Sequence, residues 1–124
     1  MNLSEFQVDV LRTVNPKLSH EERIHHAFAM LPAEAGEVSS ILQKMYQGRP
    51  INPARLKDEL GDVLYAVMYI AAECDIDPDE ILDFNVAKRT ERYPLGFDAA
   101  RSNWRDARGV LANAEPVKPG GGAE

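Results

Sequence analysis

Two short stretches place carboxylates at helical spacing: EAGEV, from Glu34, and ELGDV, from Glu59. Both read Glu-x-Gly-(Glu or Asp)-Val, and 21 residues separate Glu37 from Glu59. Residues three apart on a helix lie on nearly the same face. Glu34 therefore points with Glu37, and Glu59 with Asp62. If the two helices form an antiparallel hairpin, four carboxylates converge on one region. At low dielectric such groups repel one another. They then take up protons, pair with basic side chains or bind a cation. Oxygen-only donors suit a hard ion, Mg²⁺ or Mn²⁺. Most acidic residues merely line solvated faces. Two pairs on consecutive helices, with Gly36 and Gly61 in the same slot, point to a shared task. Glycine inside a helix costs roughly 0.5–1 kcal/mol relative to alanine. The expectation is a close approach at both glycines, by a packed helix, a metal or a ligand.

The elements that must position these groups are helical. Asn2 can cap a first helix to about Val14, with Glu5 three residues on as in a capping box. "NPKLS" breaks it. A second helical region runs from Ser19 or His20 to about Tyr46, and Pro32 predicts a kink or break near Leu31 because proline lacks the backbone donor. "QGRPIN" turns the chain. Asn52 caps a third helix with Pro53 at its first position, and that helix carries the apolar stripe Leu56, Leu60, Val63, Leu64 and Val67. The stripe of the preceding helix is Val38, Ile41, Leu42 and Met45. Asp77 caps a fourth helix, with Pro78 following and Glu80 completing a capping box, and the helix ends near Arg92, where "YPLGF" stops it. No segment alternates with a strand's period of two. The pattern predicts an all-α bundle with short connections.

At 124 residues the chain suits one domain, with 44% hydrophobic residues to supply its core. One cysteine, Cys74, cannot form an internal disulfide, so nothing argues for export. "MNLSEFQVDV" lacks a signal peptide's basic start and apolar run, and no stretch is long and apolar enough to span a membrane. The expected compartment is the cytoplasm. A net charge of −6 argues against nucleic acid as a partner, though not against a small anion accompanied by a metal ion. The tail "EPVKPGGGAE" has the composition of a disordered segment.

Among the remaining residues, Lys88 and Arg92 share a face of the fourth helix beside Arg89, and Lys44 lies two turns beyond Glu37. These cations could meet phosphates. His20, His25 and His26 read as surface or packing residues. Tyr65, Tyr69 and Phe28 read as core, and Cys74 as a small buried apolar residue. Trp104 is expected to pack on the bundle or on a neighbouring subunit.

E-x-x-E, 21 residues, then E-x-x-D resembles the MazG-like, all-α nucleoside triphosphate pyrophosphohydrolases. "NLSEFQ" resembles that family's opening helix, "NVAKRTERYPLGF" its fourth-helix ending and "GFDAARS" the tail that follows. The likeness covers about Asn2 to Arg105, so a domain at 1–105 and a tail at 106–124 are expected. The resemblance implies four to five helices in hairpins, completed by a homodimer or homotetramer. It implies Mg²⁺-dependent cleavage between the α- and β-phosphates of an NTP or dNTP, giving a nucleoside monophosphate and pyrophosphate. Carried over by position, Glu34, Glu37, Glu59 and Asp62 become catalytic metal ligands. Lys44, Asn85, Lys88, Arg92 and Tyr93 become contacts to phosphate or nucleotide.

Two positions depart from the pattern. Many relatives carry a further glutamate just before the first motif glutamate, where this chain has Ala33. Water activation then falls to a motif glutamate or to the cation itself. Many also carry an aromatic four residues after the motif aspartate, where this chain has Ala66, with Tyr65 adjacent. Base or sugar recognition is expected to differ accordingly. Two competing readings keep the fold: a non-enzymatic binding or regulatory protein, and a phosphoribosyl-ATP pyrophosphohydrolase.

Overall fold

Local sequence signals set the helix boundaries. In the computed structural model, which describes residues 1–102, α1 spans Leu3–Arg12, α2 His20–Tyr46, α3 Pro53–Glu73, α4 Pro78–Arg92 and α5 Ala99–Ser102. Asn2 and Glu5 form the expected capping box on α1. Ser19 and Glu22 form a second one on α2, and the Ser19 backbone N–H holds the Glu22 carboxyl below its ordinary pKa. Asn52 accepts hydrogen bonds from the N–H groups of Ala54 and Arg55 at 3.0 and 3.4 Å, with Pro53 in the first turn. Asp77 caps α4 through Asp79, whose N–H donates to its carboxylate at 2.8 Å, rather than through the expected box with Glu80.

The helix ends are equally local. At the end of α2, Gly48 takes a left-handed φ of 93°, and the N–H groups of Gly48 and Arg49 donate to the carbonyls of Met45 and Lys44. This double bond pattern closes the helix and explains the turn in "QGRPIN". Asp75, at φ 56°, does the same for α3, with Ile76 N–H donating to Ala71 at 2.8 Å. Aspartate tolerates that conformation better than most residues.

The described chain divides into two compact units, Met1–Glu80 and Ile81 onward. In the first, α2 and α3 pack as an antiparallel hairpin and α1 packs on α3. Val10, Ala27, Met68 and Tyr69 form the buried cluster, flanked by Leu3, Phe6, Val14, Met30, Tyr65, Val67 and Ile70. Polar contacts tie the same surfaces: Gln7 Nε2 donates to the Met68 carbonyl at 3.2 Å, and the Thr13 and Tyr65 hydroxyls meet at 2.8 Å. In the second unit, Arg101 donates to the carbonyls of Arg92 and Glu91 and so satisfies the last turn of α4. No β-strand occurs among the described residues, in keeping with the all-α expectation.

Several expectations are corrected. The α2 helix runs unbroken through Pro32. The carbonyl that loses its partner belongs to Phe28, four residues back, and Phe28 is 52% exposed. Phe28 is accordingly not core. Leu42, Leu60 and Leu64, read as core stripe, are each about half exposed. Cys74 is exposed because it forms the C-cap of α3. Trp104 and the Pro/Gly-rich tail lie outside the described residues.

Candidate functional site

Ala27, Glu34 and Ile41 recur at intervals of seven on α2, and Ala27 and Ile41 are buried. On α3, Glu59 precedes buried Ala66 by seven residues, and Asp62 precedes buried Tyr69 by seven. A seven-residue step returns to nearly the same face. Three carboxylates therefore stand in line with core positions and face the opposite helix.

Pairings on either side fix the register. Arg23 Nε donates to Glu73 Oε1 at 2.9 Å, with His20 Nδ1 3.1 Å from the same oxygen. His26 Nδ1 lies 3.2 Å from the Tyr69 hydroxyl. Further along, Arg55 Nη2 lies 3.8 Å from Glu37 Oε2. Between these ties, Glu34, Glu59 and Asp62 each offer a carboxylate oxygen, and the three oxygens lie within 4.8 Å of one another. Metal–oxygen bonds of roughly 2.0–2.6 Å put two ligands of one hard cation up to about 5 Å apart. The trio thus spans a single coordination sphere, and its donor set is the one such a cation prefers.

Glu37 stands apart from this trio. It lies about 60° round the helix from Glu34, since three residues turn 300°, and its carboxylate faces Arg55. Arg55 Nη2 is also 3.7 Å from Glu59 Oε1. Sequence reading passed over Arg55, although its place four residues before Glu59 was a usable sign of an ion pair on that face.

Crowding leaves an electrostatic mark. The Glu34 carboxyl is pushed above its ordinary pKa, first by desolvation and then by the charges of Asp62, Glu59, Glu37 and Asp58. An acid whose pKa is raised on folding binds its proton more tightly in the folded state. Its contribution to stability is present below the ordinary carboxylate range and is lost as pH rises through the raised value. In metal-free protein, Glu34→Gln is therefore expected to raise the melting temperature at pH 7–8 and to change it little near pH 4. Thermal melts by circular dichroism in chelator at the two pH values check this. An equal effect at both would contradict it.

The other sequence candidates distribute over both units. Lys44 is half-buried in the last turn of α2. Asn85, Lys88, Arg92 and Tyr93 belong to the second unit. There Asn85 Oδ1 accepts from Arg89 Nε at 2.9 Å, and the Arg92 guanidinium lies 5.8 Å from the Tyr93 ring centroid. Nε and Nη2 of Arg92 are buried without a hydrogen-bond partner among the described residues. Among the described residues, none makes the expected close approach at the glycines. A methyl group added at Gly36 or Gly61 would meet no neighbouring helix or side chain within 4 Å.

Comparison with curated proteins and with solved structures finds no match. A family model, the MazG nucleotide pyrophosphohydrolase domain, matches residues 22–97. That range takes in both carboxylate motifs, the hairpin that carries them and the whole of α4. It covers more than half of the chain, and the chain belongs to the MazG nucleotide pyrophosphohydrolase family.

Proposed function

We propose that this chain is a Mg²⁺-dependent nucleoside triphosphate pyrophosphohydrolase that acts in the cytoplasm as a homodimer or homotetramer. The observation that carries this reading is the convergence of Glu34, Glu59 and Asp62 on one cation-sized space. Glu34, Glu59 and Asp62 would hold the ion, with Glu37 at the edge of the same site. Mn²⁺ suits the same donors. When bound, the cation neutralises phosphate charge and polarises the attacked phosphoryl group.

Water attacks the α-phosphorus, the bond from that phosphorus to the α–β bridging oxygen breaks, and the products are a nucleoside monophosphate and pyrophosphate. A motif glutamate would accept the proton the water loses, or that water, acidified by the cation, would need no separate base. Basic groups are needed where negative charge builds on the departing pyrophosphate. The Arg92 guanidinium nitrogens, buried and without a hydrogen-bond partner among the described residues, suit an anionic group of that kind. Lys44, Asn85, Lys88 and Tyr93 complete the proposed substrate contacts. The half-exposed Leu42, Leu60 and Leu64 on the hairpin favour an assembly that covers them.

Incubation of the purified protein and Mg²⁺ with a panel of NTPs and dNTPs tests the reading. The expected products are monophosphate and pyrophosphate in equal amounts, lost on adding a chelator. Diphosphate with orthophosphate would overturn the proposed bond. No turnover of any member would favour a binding protein or a phosphoribosyl-ATP substrate. Sedimentation of the same preparation as a 13.8 kDa monomer would refute the assembly.

A further inference from the structure

Arg55 sits one turn before Glu59 at the edge of the acidic trio. Its Nη2 lies 3.7 Å from Glu59 Oε1 and 3.8 Å from Glu37 Oε2, so one guanidinium nitrogen straddles carboxylates of two helices. Neither distance is short enough for a hydrogen bond. Among the described residues the guanidinium makes no hydrogen bond, and it is 46% exposed. Glu59, by contrast, is only 13% exposed. Its charge needs compensation more than most, because water reaches it poorly. Asp58 and Asp62 add to the local negative charge, and both act on Glu34.

We propose that Arg55 is a built-in counter-cation of the metal site. It holds Glu37 and Glu59 while the site is empty of metal, and competes with the incoming divalent ion for them. This inference rests on the reading that these carboxylates bind a divalent cation. Its physical basis is the looseness of the pairing. Contacts of 3.7–3.8 Å attract without the directional bonds that would lock the geometry. Such a partner stabilises the crowded acids and still yields to an ion of higher charge. Arg55 thereby acts as a positioning residue that sets metal affinity. It also keeps Glu37 outside the trio until a cation draws it in.

The test is a calorimetric titration of Mn²⁺ into the full chain, without nucleotide. Removing a competing charge in Arg55→Gln is expected to tighten Mn²⁺ binding roughly three- to tenfold, the scale of one or two partly exposed ion pairs. Arg55→Lys, which keeps the charge, is expected to stay near wild type. In a Glu37→Gln background the gain from Arg55→Gln is expected to shrink, because one contested carboxylate is gone. In chelator, Arg55→Gln is expected to melt below wild type, and saturating Mn²⁺ is expected to close that gap. Arg55→Met, a second neutral variant, is expected to repeat both results. Unchanged or weaker Mn²⁺ binding in the neutral variants would overturn the proposal. So would a melting deficit of equal size with and without Mn²⁺, which would mark Arg55 as merely structural. Failure of the wild-type protein to bind Mn²⁺ is a separate outcome, and it would overturn the metal-site reading as well.

Discussion

Glu59→Gln and Asp62→Asn are each expected to lower pyrophosphohydrolase turnover by on the order of a hundredfold or more, the scale of losing one group that stabilises developing charge. Both changes keep the side-chain shape and remove one negative charge. The two residues contribute two of the three oxygens that converge within 4.8 Å, so either change leaves a site with too few anionic donors for a hard cation. The fold is expected to survive, since taking a charge out of a crowded acidic group relieves repulsion. Far-ultraviolet circular dichroism near wild type, together with lost turnover and lost Mn²⁺ binding, is the expected combination. Full turnover in both variants would sink the assignment of these carboxylates to the cation.

The largest effect on stability is expected at Tyr69. Its ring is fully buried, meets Tyr65 and His26 edge-on at centroid distances of 6.3 and 5.5 Å, and lies in the cluster that joins α1, α2 and α3. Burial also pushes its hydroxyl above the ordinary tyrosine pKa, with the charge of Glu73 adding to the effect. Tyr69→Ala would leave a cavity among Val10, Ala27 and Met68. The expected cost is about 3–5 kcal/mol, typical of deleting a buried aromatic ring. Against a total stability of about 5–15 kcal/mol for a domain, that is enough to lower the melting midpoint by well over ten degrees. Tyr69→Phe loses only the hydroxyl and its neighbour His26 Nδ1, for about 1 kcal/mol. Urea titrations followed by circular dichroism compare the variants. A cost below about 1 kcal/mol for Tyr69→Ala would show that the hairpin does not depend on this cluster.

What the sequence determined by itself was decided within a few residues. Asn2 with Glu5, Ser19 with Glu22, and Asn52 with Pro53 start helices because their groups bond to backbone three or fewer positions away. The recurrence of the carboxylates was equally legible, since helical period alone sets Glu34 with Glu37 and Glu59 with Asp62 on consecutive helices. Tertiary structure decided the rest. Pro32 broke nothing, because packing of α2 along α3 holds the helix on both sides of it. Leu60 and Leu64 match a core stripe in period, yet the face that α3 turns toward α2 carries Ala66 and Tyr69 instead. Glu37 and Glu34 look equivalent in the motif. They differ because Arg55, from the other helix, takes one and the trio takes the other. The reason is common to all three cases. Hydrogen bonds to neighbouring backbone act over one turn, whereas the choice of face and of ionic partner depends on register between helices about twenty or more residues apart, and only the packed hairpin sets that register.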